Sequence, residues 1–261
     1  MNMLGYIKKN WRVYLFEAIG LAGFVLIAGL LTIFLEHPDL PVMKSVLKEQ
    51  PLIRRIPMGI ILGLYIVGVV LLFGKKSGAH INPAVTWTFY RLGKIDKLQA
   101  ILYTVAQFAG AIVAAQLLKL TVGKWFAHPL INFAITAPKP PHGSMSAFIA
   151  EFIISFIMML MVLLASSSKR FDKFVAILSG VLIALYIIIE MPFSGMSLNP
   201  ARSFTAALAG NKWEHLWIYF AAPIPAMFVA GEVYREWKQN RLKKKAKDYK
   251  EIQKYPVEVE V

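Results

Sequence analysis

The chain has 261 residues, 57% of them hydrophobic and only 17% charged, with a formal net charge of +14. A soluble domain carries about a quarter charged and roughly 45–50% apolar residues. Here the excess is gathered into long uncharged stretches, which excludes a disordered chain, a coiled coil and an ordinary cytosolic enzyme. There is no cysteine, so disulfides, Cys-ligated zinc, iron–sulfur clusters and thiol catalysis are excluded as well.

A membrane span needs about 20 mostly apolar residues. Taken in chain order, such stretches cover residues 18–35, 56–74, 98–118, 144–168, 174–189 and 216–231, which predicts six spans. The first is too long, and lacks the small-residue cleavage site, for a removed signal peptide. Lys and Arg gather between the spans: Lys8, Lys9 and Arg12; Lys75 and Lys76; Arg91, Lys94 and Lys97; Lys169, Arg170 and Lys173; and a tail that is densest from Arg235 to Lys250. These clusters fall on alternate connections, the pattern of the positive-inside rule, and put both termini on the cytoplasmic side. Lys44, Lys48, Arg54 and Arg55 on the first outer connection run against it, so the rule holds on balance. The same placement argues against nucleic-acid binding, which the net charge alone would suggest. Pro225 is expected to kink the sixth span.

Two connections do not read as loops. After span two comes Ser77-Gly78-Ala79-His80-Ile81-Asn82-Pro83-Ala84-Val85-Thr86. After span five comes Ser194-Gly195-Met196-Ser197-Leu198-Asn199-Pro200-Ala201-Arg202-Ser203. Both open Ser-Gly, reach Asn-Pro-Ala at the same offset and run on into a short helical pattern. Glu17 in span one and Glu151 in span four extend the repeat. Each half has three spans, an odd number, so the second half enters the membrane inverted. Asn caps a helix and Pro suits its first position. Each motif is therefore expected to open a half-helix, one from each face, with the two N-termini meeting at mid-depth. A plain Asn-Pro turn would explain one copy but not two in register.

At these residues the sequence resembles the major intrinsic proteins, the aquaporin and glyceroporin family. The resemblance rests on the two motifs, on Glu17-Ala18-Ile19-Gly20, on Gln107-Phe108-Ala109-Gly110 and on Glu151, and covers about Trp11 to Trp237. It implies an all-α membrane fold of six transmembrane helices plus two re-entrant half-helices. The domain layout is a single channel domain over residues 1–236, with inverted halves at about 11–120 and 145–236, followed by a basic cytoplasmic tail, 237–261. Also implied are one pore per subunit, a homotetramer in the plasma (cell inner) membrane and no cofactor.

The expected function is a passive channel for water and other small neutral solutes that excludes ions and protons. Asn82, Pro83, Ala84, Asn199, Pro200 and Ala201 are its expected centre. If both Asn side chains cap their own half-helices through oxygen, their NH₂ groups face the lumen as donors. By resemblance Arg202 is the fixed cation of an outer selectivity filter; a structural ion pair is the alternative. Offsets from the motifs assign Leu62, Ile187 and Met196 to the other filter positions. Water-selective members usually carry an aromatic and a His where Leu62 and Ile187 stand, so the filter is expected to discriminate weakly. Against glycerol, Ser203 stands where glyceroporins usually have Asp, and Tyr219-Phe220 matches the water-channel branch. Glu17 and Glu151 read as scaffold acceptors for the irregular loops rather than proton relays, and His80 as loop packing rather than a metal ligand.

Within the fold the alternative is a glycerol- or ammonia-type facilitator with little water preference. From other classes come a secondary transporter, which would need an ionisable coupling site at mid-membrane, and a non-conducting structural protein, which would need long outer loops. Enzyme activity has no nucleophile–base pair or metal cluster to support it. Ser166-Ser167-Ser168 reads as a helix-ending turn rather than a phosphorylation switch, and the basic tail as membrane adhesion.

Overall fold

The computed structural model describes residues 3–253. Those residues form ten α-helices joined by turns and three 3₁₀ segments. In order they are α1 (Met3–Glu36), α2 (Pro51–Ser77), α3 (Pro83–Arg91), α4 (Lys97–Phe126), α5 (Ser144–Ser166), α6 (Val175–Ile189), α7 (Met191–Ser194), α8 (Pro200–Gly210), α9 (Ile218–Ala221) and α10 (Pro223–Gln253). Helices α1, α2, α4, α5 and α6 are long and apolar enough to cross a membrane.

The sixth expected span is divided into α9 and the first half of α10. Two prolines explain the division. Pro223 and Pro225 have no N–H to return to Tyr219 and Ala221, so the ladder lapses at Ala222, and the helix restarts at Pro223 instead of bending at Pro225. A proline costs nothing in the first turn, where the N–H has no partner anyway. The helix then continues through the basic segment, because Lys, Arg and Glu are good helix formers in water. The final residues of the expected tail, 254–261, lie outside the described residues.

The main pairings are α1 with α4, α5 with α10, and α2 with α6. The first two lie within one half each and correspond to one another; the third joins the halves. Glycines set the closeness of that joint. A Cβ on Gly63 would stand 2.5 Å from the Gly180 carbonyl oxygen, and a Cβ on Gly180 would stand 2.5 Å from that of Gly63. Small residues allow such backbone contact where lipid offers no hydrophobic drive between helices.

The short helices cross the division. α3, from the first half, packs on α10 as well as α4, and α8, from the second half, packs on α4. The core that holds them joins Leu21, Leu62, Met159, Leu163, Ile187, Ala84 and Ala201 in one buried cluster. Both half-helices are thus wedged between the two halves, with their N-termini turned inward.

Candidate functional site

The two loops before α3 and α8 are built on the same template. Ser77 and Ser194 each end a helix, and Gly78 and Gly195 follow in the left-handed region at φ 91° and 83°. Residues with side chains then take the same strained region: Ala79 and Ile81 in the first loop, Met196 and Leu198 in the second. Such backbone persists only where its surroundings over-determine it, and here a buried carboxylate does so.

Glu17 is fully buried. Its Oε1 accepts from Ser77 Oγ at 2.6 Å and from the His80 N–H at 3.0 Å; its Oε2 accepts from the Ile81 N–H at 2.5 Å and from Gln107 Nε2 at 2.9 Å. Glu151, also fully buried, repeats the pattern: Oε1 accepts from Ser194 Oγ at 2.8 Å and the Ser197 N–H at 2.6 Å, and Oε2 from the Leu198 N–H at 2.8 Å. A charged acceptor in a low-dielectric interior is a strong tether for N–H groups that water cannot reach.

Each loop ends at an asparagine that caps its half-helix. Asn82 Oδ1 accepts from the Ala84 N–H at 2.9 Å; Asn199 Oδ1 accepts from the N–H groups of Ala201 and Arg202 at 3.1 and 3.3 Å. Pro83 and Pro200 occupy the first helical positions. The Asn side chains also tie the loops together. Asn82 Nδ2 donates to the Leu198 carbonyl and Asn199 Nδ2 to the Ile81 carbonyl, both at 2.8 Å. This exchange brings the two half-helix N-termini to one depth. It also engages one amide hydrogen of each Asn, so one remains per side chain rather than the two of a free NH₂.

Asn82 and Asn199 line a cavity of about 140 Å³, along with Ile81, Leu198, His80, Val85, Phe89 and Ile183. Its wall is mostly apolar, with the polar groups of the two loops along one part.

Comparison with known proteins fits this geometry. The profile of the family described as "Major intrinsic protein" matches residues 7–234. The chain belongs to the major intrinsic protein family. Aquaporin NIP1-1 of Oryza sativa subsp. japonica is 32% identical over 198 residues, 76% of this chain and 66% of that protein. Aquaporin-4 of Bos taurus is 33% identical over 192 residues, 71% of this chain and 58% of that relative. The chain thus spans less than two thirds of the length of these relatives. Among solved structures, the aquaglyceroporin from Plasmodium falciparum shares the fold with a TM-score of 0.68 at 22% identity, covering 87% of this chain and 95% of that one.

Within this major intrinsic protein fold, Leu62, Ile187 and Met196 are all buried in the same apolar cluster. None of them lines the 140 Å³ cavity. Arg202 is buried on α8 and borders a separate void of about 20 Å³ beside Phe126, Phe133 and Ala206. Its Nη1 has no hydrogen-bond partner among the described residues. His80 lies with its ring against Phe89 and Tyr103, centroids 4.5 and 5.4 Å away, and its Nδ1 is 3.2 Å from Thr86 Oγ1.

Three features escaped the sequence reading. Tyr103 donates through its hydroxyl to the Ser77 carbonyl at 2.7 Å, and Tyr219 does the same to the Ser194 carbonyl. Tyr103 follows Asn82 by 21 residues and Tyr219 follows Asn199 by 20, so the repeat reaches the second tyrosine only across a one-residue gap. Ser203 is a fastener: its Oγ lies 2.7 Å from Thr136 Oγ1 and 2.6 Å from Ser197 Oγ, joining the α4–α5 connection to the second loop. Finally Glu190, just past α6, is buried, and neither carboxylate oxygen has a hydrogen-bond partner among the described residues.

Proposed function

We propose that the protein is a passive channel that conducts water and other small neutral solutes while excluding ions and protons. The observation that carries this reading is the reciprocal pair of Asn-to-carbonyl bonds between the loops. Two helix N-termini held face to face each present roughly half a positive charge and unpaired N–H groups. A cation or proton meets that potential in a low-dielectric passage and is turned back. A neutral molecule does not, and the remaining amide hydrogens of Asn82 and Asn199 offer it donors as it passes. A water that accepts from both is oriented so that the hydrogen-bond chain needed for proton transfer is interrupted. Pro83, Ala84, Pro200 and Ala201 hold the two half-helices beside this point. Relatives named aquaporins, and a solved neighbour named an aquaglyceroporin, support a small-solute channel.

Arg202, Leu62, Ile187 and Met196 form the narrow filter in this reading. Only Arg202 supplies donors there, so a molecule entering finds little to replace the partners it had in bulk water, and selection among small neutral solutes is weak. The aliphatic Leu62 and Ile187 equally favour a second reading, a glycerol- or ammonia-type facilitator with little water preference. The protein works as a homotetramer in the plasma membrane, both termini cytoplasmic, by the family resemblance and the placement of its basic residues.

Purified protein in liposomes tests the function. Osmotic shrinkage followed by light scattering is expected to run several-fold faster than in empty liposomes, with no ionic conductance in planar bilayers. Shrinkage at the rate of empty liposomes, or a cation current, would overturn the reading.

A further inference from the structure

An open groove of about 810 Å³ lies between α5 and α10, away from the Asn82–Asn199 cavity. Its apolar wall runs along α5 from Ile157 to Ala165 and along α10 from Val233 to Trp237. Ser168, Phe171 and Arg241 close one end. Three spans per half send α5 and α10 through the membrane in the same direction, so both walls descend toward that end. From Ile157 to Ala165 the helix advances about 12 Å, most of the roughly 15 Å that one leaflet contributes to the hydrocarbon core. Ile157, Phe171, Val233 and Trp237 keep 40–48% of their surface exposed.

The closed end is basic and aromatic. The Arg241 guanidinium lies 5.4 Å from the centroid of the Trp237 ring, Arg170 lies 5.6 Å from that of Phe171, and Lys173 Nζ lies 5.1 Å from that of Phe174. In the adjoining sequence Lys169 and Lys238 carry the same sign, and Asp172 and Glu236 the opposite one. Among the described residues Arg170, Lys173 and Arg241 have no ion-pair partner. Trp at the membrane boundary and unpaired cations beside it are suited to the headgroup level of a charged leaflet.

We propose that this groove binds an anionic phospholipid, one acyl chain lying between α5 and α10 and the phosphate held by Arg241 with the basic α5–α6 turn. Length, apolar lining and charge all match that one occupant. A water-soluble partner would leave the aliphatic wall unfilled. A zwitterionic lipid would leave the cations without a net counter-charge.

Native mass spectrometry of the detergent-purified protein tests the proposal, with phosphatidylglycerol and phosphatidylcholine of identical chains added in turn. Phosphatidylglycerol is expected to bind the unmodified protein more tightly. Arg241→Ala is expected to weaken it about five- to tenfold, the effect of one basic residue near an anionic headgroup. Lys243→Ala removes the same charge on the other side of α10 and is expected to change nothing. Both residues are exposed, so both variants keep the fold. Ile157→Trp, which places an indole in the groove from an exposed position, is expected to remove the bound phosphatidylglycerol. Equal affinity for the two lipids would overturn the proposal, as would equal losses from the Arg241 and Lys243 variants. So would an Ile157→Trp protein that keeps its lipid but changes its number of subunits, since the groove would then be an interface between copies of the chain.

Discussion

The first loop, 77–83, and the second, 194–200, share a cradle but differ in what surrounds it. In the first, Glu17 receives four hydrogen bonds, one of them from Gln107, whose Nε2 also reaches Thr86 at 3.0 Å. In the second, Glu151 receives three, and no glutamine stands in the corresponding place because α10 begins there with Pro223. Four residues before Ser77 stands Phe73, stacked on Phe16 with centroids 4.8 Å apart. Four residues before Ser194 stands Glu190, whose buried carboxylate oxygens have no hydrogen-bond partner among the described residues. Where α3 has Val85, α8 has Arg202. The symmetric parts are those the backbone of two strained loops requires. The asymmetric parts lie at both: Gln107 and the Phe73 ring stack beside the first loop, Glu190 and Arg202 beside the second.

The largest expected effect comes from removing the shared part. Glu17→Ala leaves three buried donors without an acceptor and takes one of two acceptors from Gln107, and Glu151→Ala leaves three donors, at about 1–3 kcal/mol for each stranded group. Both variants are expected to give little folded protein, Glu17→Ala less than Glu151→Ala, as read by monodisperse yield in detergent. Equal yields would mean that the Gln107 bond adds nothing to the first cradle. A Glu17→Ala protein that folds normally and loses a proton-coupled flux would instead favour the transporter reading.

A smaller effect is expected at Glu190. Burying a carboxylate with no donor is costly, so Glu190→Gln is expected to raise the thermal midpoint, whereas Phe73→Leu, which breaks a ring stack, lowers it. A fall for Glu190→Gln would mean that the charge is held by groups the hydrogen-bond geometry does not reveal.

The smallest effect concerns the helix that follows each half-helix. Asp96 caps α4, accepting from the Gln99 N–H at 2.8 Å and from the Tyr6 hydroxyl at 2.8 Å; α9 has no side-chain cap. Those bonds, the Gln99 N–H foremost, hold the Asp96 carboxyl below the usual carboxylate range. A depressed folded value means that its contribution is present above the unfolded pKa and is lost as pH falls through the folded one. Asp96→Ala is expected to cost about 1 kcal/mol at neutral pH, and the gap to the unmodified protein should close in acid. A gap independent of pH would show that the cap acts through shape alone.

Much of this was legible in the residues. The hydropathy of five spans, the Ser-Gly…Asn-Pro-Ala repeat and the odd number of spans per half were enough to anticipate two facing half-helices. Hydropathy was a poor guide where charge and helix coincide: α1 begins at Met3 and α10 runs to Gln253, through basic residues that favour helix in water. Local composition was a poor guide at Pro223, where the absence of two N–H groups divides a span that reads as continuous. Tyr103, Tyr219 and Ser203 were missed because their partners are distant in sequence, and a hydroxyl on an apolar helix does not reveal which carbonyl or hydroxyl it will meet. Glu190 was missed because it follows the last apolar residue of α6 and reads as the start of a loop.

The most direct test of a weakly selective neutral-solute pore is the ratio of water to glycerol permeability in proteoliposomes, for the unmodified protein and for Ile187→His. The account predicts a low ratio in the first and a higher one in the second, since in the proposed filter an imidazole would narrow the passage and add a polar partner for the solute. An already high ratio, unchanged by the substitution, would contradict it and would leave Met196 as the residue that closes the pore.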